Sequence, residues 1–240
     1  MAILERILLV IVAAVVGTVG MVNWFLPEKQ AGPVFSPAET VTRMTESPQP
    51  EGALPVKVPG TQLRIQALVR YEGPYWEDGT GEHVSNVAAL LLENTGEEGV
   101  SYAQVSLLVD GNKYEFEFTY LPAGARVLVP EKNRQPYVLG QVTDCRCGRL
   151  VTASFGSDTE KVRVRQNGMA GIVLENLTDR DLKTVCLYYK LYLSGEDVYI
   201  GGTTYRMEAG QLPSGGNLEV TPEHFVWGYS AVVDIRTGEE

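Results

Sequence analysis

The 240-residue chain is 44% hydrophobic, 21% charged and 9% aromatic, a globular composition that excludes a wholly disordered, collagenous or disulfide-dense scaffold. Thirty acidic against twenty basic side chains leave a net charge of −10, the wrong sign for a surface that neutralises phosphates, so nucleic acid is not an expected partner. The motifs of the common catalytic families are missing from the sequence, which turns attention to where the chain sits and how it is built.

In chain order, residues 1–26 come first. From Ile7 to Leu26 twenty residues carry no charge, and at ~1.5 Å rise per residue a helix of that length crosses the ~30 Å hydrocarbon core of a bilayer. Trp24 and Phe25 stand at the far end, where aromatic rings prefer the water boundary, and Pro27 stops the helix. The competing reading is a cleavable signal peptide ending at Thr18-Val19-Gly20, and the apolar run continuing from Val19 to Leu26 argues against cleavage. A single-pass signal-anchor in a cell membrane is therefore expected, with the bilayer as a partner of residues 7–26. The positive-inside rule has only Arg6 and the amino terminus to act on, and the C-terminal domains are expected on the extracytoplasmic side. No cysteine precedes Cys145, which excludes a lipid-modified cysteine beside the apolar run.

Residues 27–60 hold seven of the thirteen prolines, from Pro27 to Pro59, among Ser, Thr, Gln and Glu. Proline holds φ near −65° and removes donors, so this stretch reads as an extended Pro-rich linker.

The remainder reads as a tandem repeat. Ala88-Ala89-Leu90-Leu91-Leu92-Glu93-Asn94-Thr95 parallels Ala170-Gly171-Ile172-Val173-Leu174-Glu175-Asn176-Leu177 at an offset of 82. Val142-Thr143-Asp144-Cys145-Arg146-Cys147-Gly148 parallels Val232-Val233-Asp234-Ile235-Arg236-Thr237-Gly238 at an offset of 90. The spacing predicts domains over 61–148 and 149–240 that abut without a flexible linker. Within each, the apolar period is two. Ala103, Val105, Leu107 and Val109 alternate with polar neighbours before Asp110-Gly111-Asn112, and Tyr114 to Phe118 alternates again, a β-hairpin. In the second repeat Val185, Leu187, Tyr189 and Leu191 face one way and Cys186, Tyr188, Lys190 and Tyr192 the other. The expected fold class is all-β, two tandem antiparallel immunoglobulin-like β-sandwich domains of about seven strands each, preceded by the transmembrane helix and the Pro-rich linker.

The second repeat carries a resemblance. Gly171 to Thr178, then Leu182-Lys183-Thr184-Val185, Tyr189-Lys190-Leu191-Tyr192 and Leu212-Pro213-Ser214-Gly215 resemble the FxLYD family of small bacterial sandwich domains, most clearly over residues 169–220. Leu193 stands where the name-giving motif has Asp. The resemblance implies a bacterial, envelope-exposed sandwich and brings no activity, cofactor or catalytic residue with it.

Chemistry-bearing residues are few. His83 and His224 occupy unrelated positions of the two repeats, and short acidic turns such as Glu97-Glu98 and Glu196-Asp197 read as solvated. Cys145-x-Cys147 lacks the ligand count of a zinc site, and Cys186 stands alone. The loop from Gly73 to Glu82 sets Tyr75 and Trp76 beside Glu77 and Asp78, a grouping that suits a sugar, a cationic peptide or a calcium ion. Tyr188 and Tyr192 share the outer face of one strand and complete the candidate contact set. The opposing readings are that Trp76 plugs the sandwich end and that the two tyrosines pack on the neighbouring domain. No catalytic, cofactor or metal role is assigned. The expected function is binding or scaffolding, with an unidentified envelope protein or ligand as partner. One alternative is a structural accessory subunit of a membrane assembly held by its helix, where Gly17, Thr18 and Gly20 allow close packing. A second is a hydrolase with a non-obvious site, which joint replacement of Asp78, Glu82 and His83 would test.

Overall fold

The computed structural model describes residues 43–45, 54–156 and 158–238, which carry fourteen strands and no helix. The apolar segment 7–26 and most of the Pro-rich stretch lie outside the described residues, and among those described no helix is long and apolar enough to cross a membrane.

In the first half, β1 (Arg43–Thr45) and β2 (Val56–Lys57) both pair with the outer edge of β3 (Leu63–Tyr75). β3 pairs with β4 (Glu82–Asn94), which pairs with β7 (Arg126–Pro130). Facing them is a sheet ordered β6 (Asn112–Leu121), β5 (Gly99–Val109), β8 (Val142–Ala153). The period-two pattern places Ala103, Val105, Leu107 and Val109 inward, where they meet Leu63, Ile65, Leu90 and Leu92 in one apolar cluster. The hairpin between β5 and β6 turns at Asp110 (φ 45°) and Gly111 (φ 83°), the left-handed pair that a tight two-residue turn requires.

The second half uses the same connections. β9 (Val162–Asn167), β10 (Gly171–Asn176) and β13 (Asn217–Val220) form one sheet. β12 (Val198–Ala209), β11 (Thr184–Leu193) and β14 (Ser230–Gly238) run side by side in the other. Its cluster gathers Val162, Ile172, Leu174, Val185, Leu187, Tyr189 and Ile235. Each half thus has six principal strands, three per sheet, one fewer than the alternation suggested. At the offset of 90, Arg146 Nε donates to Asp144 Oδ2 at 2.7 Å and Arg236 Nε to Asp234 Oδ2 at 2.8 Å.

Three boundaries differ from the sequence reading. Val58 is wholly buried in the first cluster and Val56–Lys57 pairs with β3, so residues 54–60 belong to the fold although proline content assigned them to the linker. The division placed at 148/149 falls inside β8, and the junction between halves is the stretch 154–161. That junction covers the edge of β14, where Gly156 N donates to Asp234 Oδ1 at 2.8 Å and Thr237 N to Asp158 Oδ2 at 2.7 Å. Finally, the halves do more than abut. β7 and β12 pair in parallel, Tyr199 with Val127 and Ile200 with Leu128, so one sheet runs β1-β3-β4-β7-β12-β11-β14 through both halves. This pairing covers the open edge of β7, which otherwise exposes unpaired backbone groups.

Candidate functional site at the seam between the halves

Of the residues singled out in the sequence, the seam brings together Glu77, Trp76 and Tyr188. In β11 and β12 the register slips between Tyr189↔Tyr205 and Leu191↔Ile200, so that Gly201 to Thr204 bulge out opposite the single residue Lys190. Gly201 takes φ 80°, and a Cβ on Gly202 would stand 1.9 Å from the Glu117 carbonyl oxygen. Two successive glycines are therefore what allows the bulge to form and to press against β6.

Lys190 keeps the outward position that alternation assigns to it, between the inward Tyr189 and Leu191, and it is buried there because β6 of the first half covers that face. The side chain is wholly buried. Its Nζ donates to the carbonyls of Gly202 (3.0 Å), Thr203 (3.0 Å) and Thr119 (3.1 Å), and lies 3.2 Å from Thr204 Oγ1. Thr119 belongs to the first half, so one ammonium ties both. Around it the Thr204 hydroxyl donates to the Thr119 carbonyl at 3.1 Å, and the Thr119 hydroxyl donates to the Gly202 carbonyl at 3.1 Å.

Glu77 supplies the counter-charge from the loop between β3 and β4. Gly202 N donates to its Oε1 at 2.8 Å and the Thr203 hydroxyl to its Oε2 at 3.3 Å. Burial pushes the Glu77 carboxyl above the usual carboxylate range, against the Gly202 amide and the Lys190 charge. Burial likewise pulls the Lys190 ammonium down to about 7, against the pull of Glu77. A cleft of about 310 Å³ opens beside the pair, lined by Glu77, Glu117, Thr119, Lys132, Thr203 and Thr204 among others.

The other loop residues divide. Tyr75 is 1% exposed, and its hydroxyl is shared by the carbonyls of Glu131 (2.9 Å) and Lys132 (2.8 Å), making it a core residue. Burial and the nearby Glu77 push its phenol well above the ordinary range. The Arg134 guanidinium covers the Tyr75 ring at 4.7 Å while pairing with Asp78 and, at 2.7 Å, with Glu82. Asp78 also closes its own turn, accepting from Thr80 N (3.0 Å) and Oγ1 (2.7 Å), and these bonds with Arg134 hold its carboxyl below the usual range. Trp76 is half-buried, its ring 5.7 Å from His224, which in turn lies 5.1 Å from Tyr205.

Tyr188 and Tyr192 sit on opposite sides of Lys190 in β11. Tyr188 stacks on Tyr120 of the first half at 4.6 Å and 15°, Tyr120 stacks on Phe155 at 5.1 Å, and Arg236 spans both tyrosines. Tyr120 holds φ 46°, a left-handed conformation that a bulky side chain rarely takes, stabilised here by rings on both faces. Tyr192 lies 5.1 Å from Tyr199, and its hydroxyl donates to Asp197 at 2.5 Å.

Of the six candidate residues, Glu77 and Tyr188 meet the other half directly, while Tyr75, Asp78 and Tyr192 are tied within their own half. Trp76 reaches the other half through His224. His83 does not join this group, and Asp78 and Glu82 converge on Arg134 instead. Among the described residues no group of three or more His, Cys, Asp or Glu side chains is placed to hold a metal ion. Cys145, Cys147 and Cys186 are free and half-buried, the first two against the first apolar cluster. Sequence spacing assigns Lys190 to the outer face of its strand with no role, although Gly201-Gly202 inside an alternating strand is the mark of a bulge beside it. No family model, curated protein or solved structure matches the chain.

Proposed function

We propose that this chain is a single-pass, amino-terminally anchored protein of a bacterial envelope whose tandem immunoglobulin-like β-sandwich part binds or scaffolds a partner rather than catalysing a reaction. The observation that carries the reading is the use of the seam's polar groups. Glu77, Lys190, Thr119 and Thr204 spend their hydrogen bonds on one another and on backbone, which makes the two halves one rigid presenting surface. The apolar run Ile7 to Leu26, the Pro-rich stretch after it and the FxLYD-like pattern of the second repeat support the anchoring, the reach and the envelope setting.

A membrane-impermeant maleimide applied to intact cells tests the placement, read as the mass and labelling of Cys145, Cys147 and Cys186 in the membrane fraction. Labelling of the full-length chain before lysis is the expected result. Labelling only after lysis, while externally added protease leaves the chain intact, overturns it. Partner capture by full-length protein and by a form lacking residues 1–30 then separates recognition by the sandwich from an accessory subunit held by its helix.

A further inference from the structure

The seam holds a wholly buried ammonium and, at the edge of the cleft beside it, a half-buried carboxylate, and both bond to the bulge of Gly201 to Thr204. Lys190 has no exposed surface, and its three carbonyl acceptors come from both halves. Glu77 accepts from the same bulge, at Gly202 and Thr203. Losing the Glu77 charge leaves the buried ammonium uncompensated, and losing the Lys190 charge weakens its bonds to Thr119 of β6 and to Gly202 and Thr203 of β12. We propose that the Lys190–Glu77 pair is a pH-sensitive lock on the seam, closed while the pair carries no net charge and loosened on the acid and the alkaline side alike.

The neighbouring groups single out this pair. Glu117 of β6 is held below the usual carboxylate range by Lys132, which sits 2.5 Å from it and is itself raised by that contact. Asp78 is held low by Thr80 and Arg134. Tyr75 and Tyr205 are pushed up by burial and by Glu77. All of these move away from neutrality. Glu77 and Lys190 alone among them move toward it, Glu77 from below and Lys190 from above. Acid therefore protonates Glu77 and strands the ammonium, while base removes a Lys190 proton and leaves an amine with two hydrogens for three carbonyl acceptors. His224, whose ring lies 5.7 Å from that of Trp76, is the remaining titratable group beside this loop.

Hydrogen exchange of the full-length chain, corrected for the intrinsic pH dependence of exchange, reads the lock at residues 198–204 against 172–175 in the second core. The expected result is a bell-shaped protection of 198–204, falling about tenfold on each side of its maximum, with 172–175 unchanged. The Glu77→Gln, Lys190→Met double variant is expected to flatten the bell, and His224→Asn, which keeps a residue tolerant of φ 58°, to preserve it. A flat wild-type profile overturns the lock. So does a bell that survives the double variant, one that disappears in His224→Asn, or one in which 172–175 loses protection together with the seam. Should the double variant fail to fold, the wild-type and His224→Asn profiles decide the matter.

Discussion

Asn94 and Asn176, separated by 82 positions, make the same bonds in the two halves. The Asn94 amide donates to the carbonyls of Glu98 (2.8 Å), Pro122 (3.0 Å) and Leu121 (3.3 Å). The Asn176 amide donates to Arg180 (2.7 Å), Leu212 (3.0 Å) and Pro213 (3.1 Å). In each case the side-chain oxygen accepts a backbone amide two residues on, from Gly96 at 3.1 Å or Thr178 at 2.9 Å. Both asparagines are buried at the end of a strand and hold a turn to the loop that crosses the sandwich end.

Replacing either asparagine by alanine strands several buried carbonyls, and a loss of about 3 kcal/mol in unfolding free energy is expected for each. Aspartate, which is nearly the same shape but cannot donate when ionised, should do no better at neutral pH. Urea denaturation of the four single variants checks both statements, and near-wild-type stability of the aspartate forms would show that shape rather than donation matters.

Gly202→Ala should open the seam, because its Cβ would fall 1.9 Å from a backbone oxygen that cannot swing aside. Loss of exchange protection at 126–130 and 198–204, with the two apolar clusters retained, is the expected signature. Gly210→Ala is the control, since no heavy atom lies within 4 Å of the added Cβ and a change within about 0.5 kcal/mol follows.

Tyr188→Ala should cost about 1–2 kcal/mol through loss of the stacked ring. Combined with Tyr120→Ala it should cost less than the sum, with a coupling near 1 kcal/mol, because Tyr188 and Tyr120 share one stack and one guanidinium. A double-mutant cycle measures this, and additive losses would mean that the rings act separately.

The junction between halves should be acid-labile. Burial pushes Asp158 up, but the Thr237 amide and hydroxyl and the Lys161 ammonium outweigh it and hold the carboxyl below its usual range. A depressed acid contributes stability that is present above its unfolded value of about 3.9 and is lost as pH falls toward the folded value. The urea midpoint should therefore drop between about pH 5 and pH 2, and Asp158→Asn should lower stability at pH 7 while making that acid drop shallower. An unchanged acid limb in the variant would assign the effect to other carboxylates.

Much of the architecture was legible because period-two alternation is a local property that survives without tertiary context. The inward set Val185, Leu187, Tyr189 and Leu191, the Asp110-Gly111 turn and the equivalence of Asn94 with Asn176 follow from spacing along the chain. The burial of Lys190 was not legible, because β6, which covers it, and the bulge of Gly201 to Thr204, whose carbonyls hold it, are brought beside it only by folding. The same holds for Tyr75. Its place next to two acids and a tryptophan suggested an exposed contact, yet the carbonyls that accept its hydroxyl come from residues 131 and 132.

The amino-acid sequence by itself determined a β-rich chain with a twofold repeat, an apolar run long enough to span a bilayer and a Pro-rich stretch after it, since composition and periodicity are written residue by residue. Only the tertiary structure decided that β7 and β12 join the halves in one sheet and that Glu77 and Lys190 bond to the same bulge at the seam. Such pairings join positions more than seventy residues apart, and they depend on edge geometry and on which polar groups remain to be satisfied once each half has packed its own core.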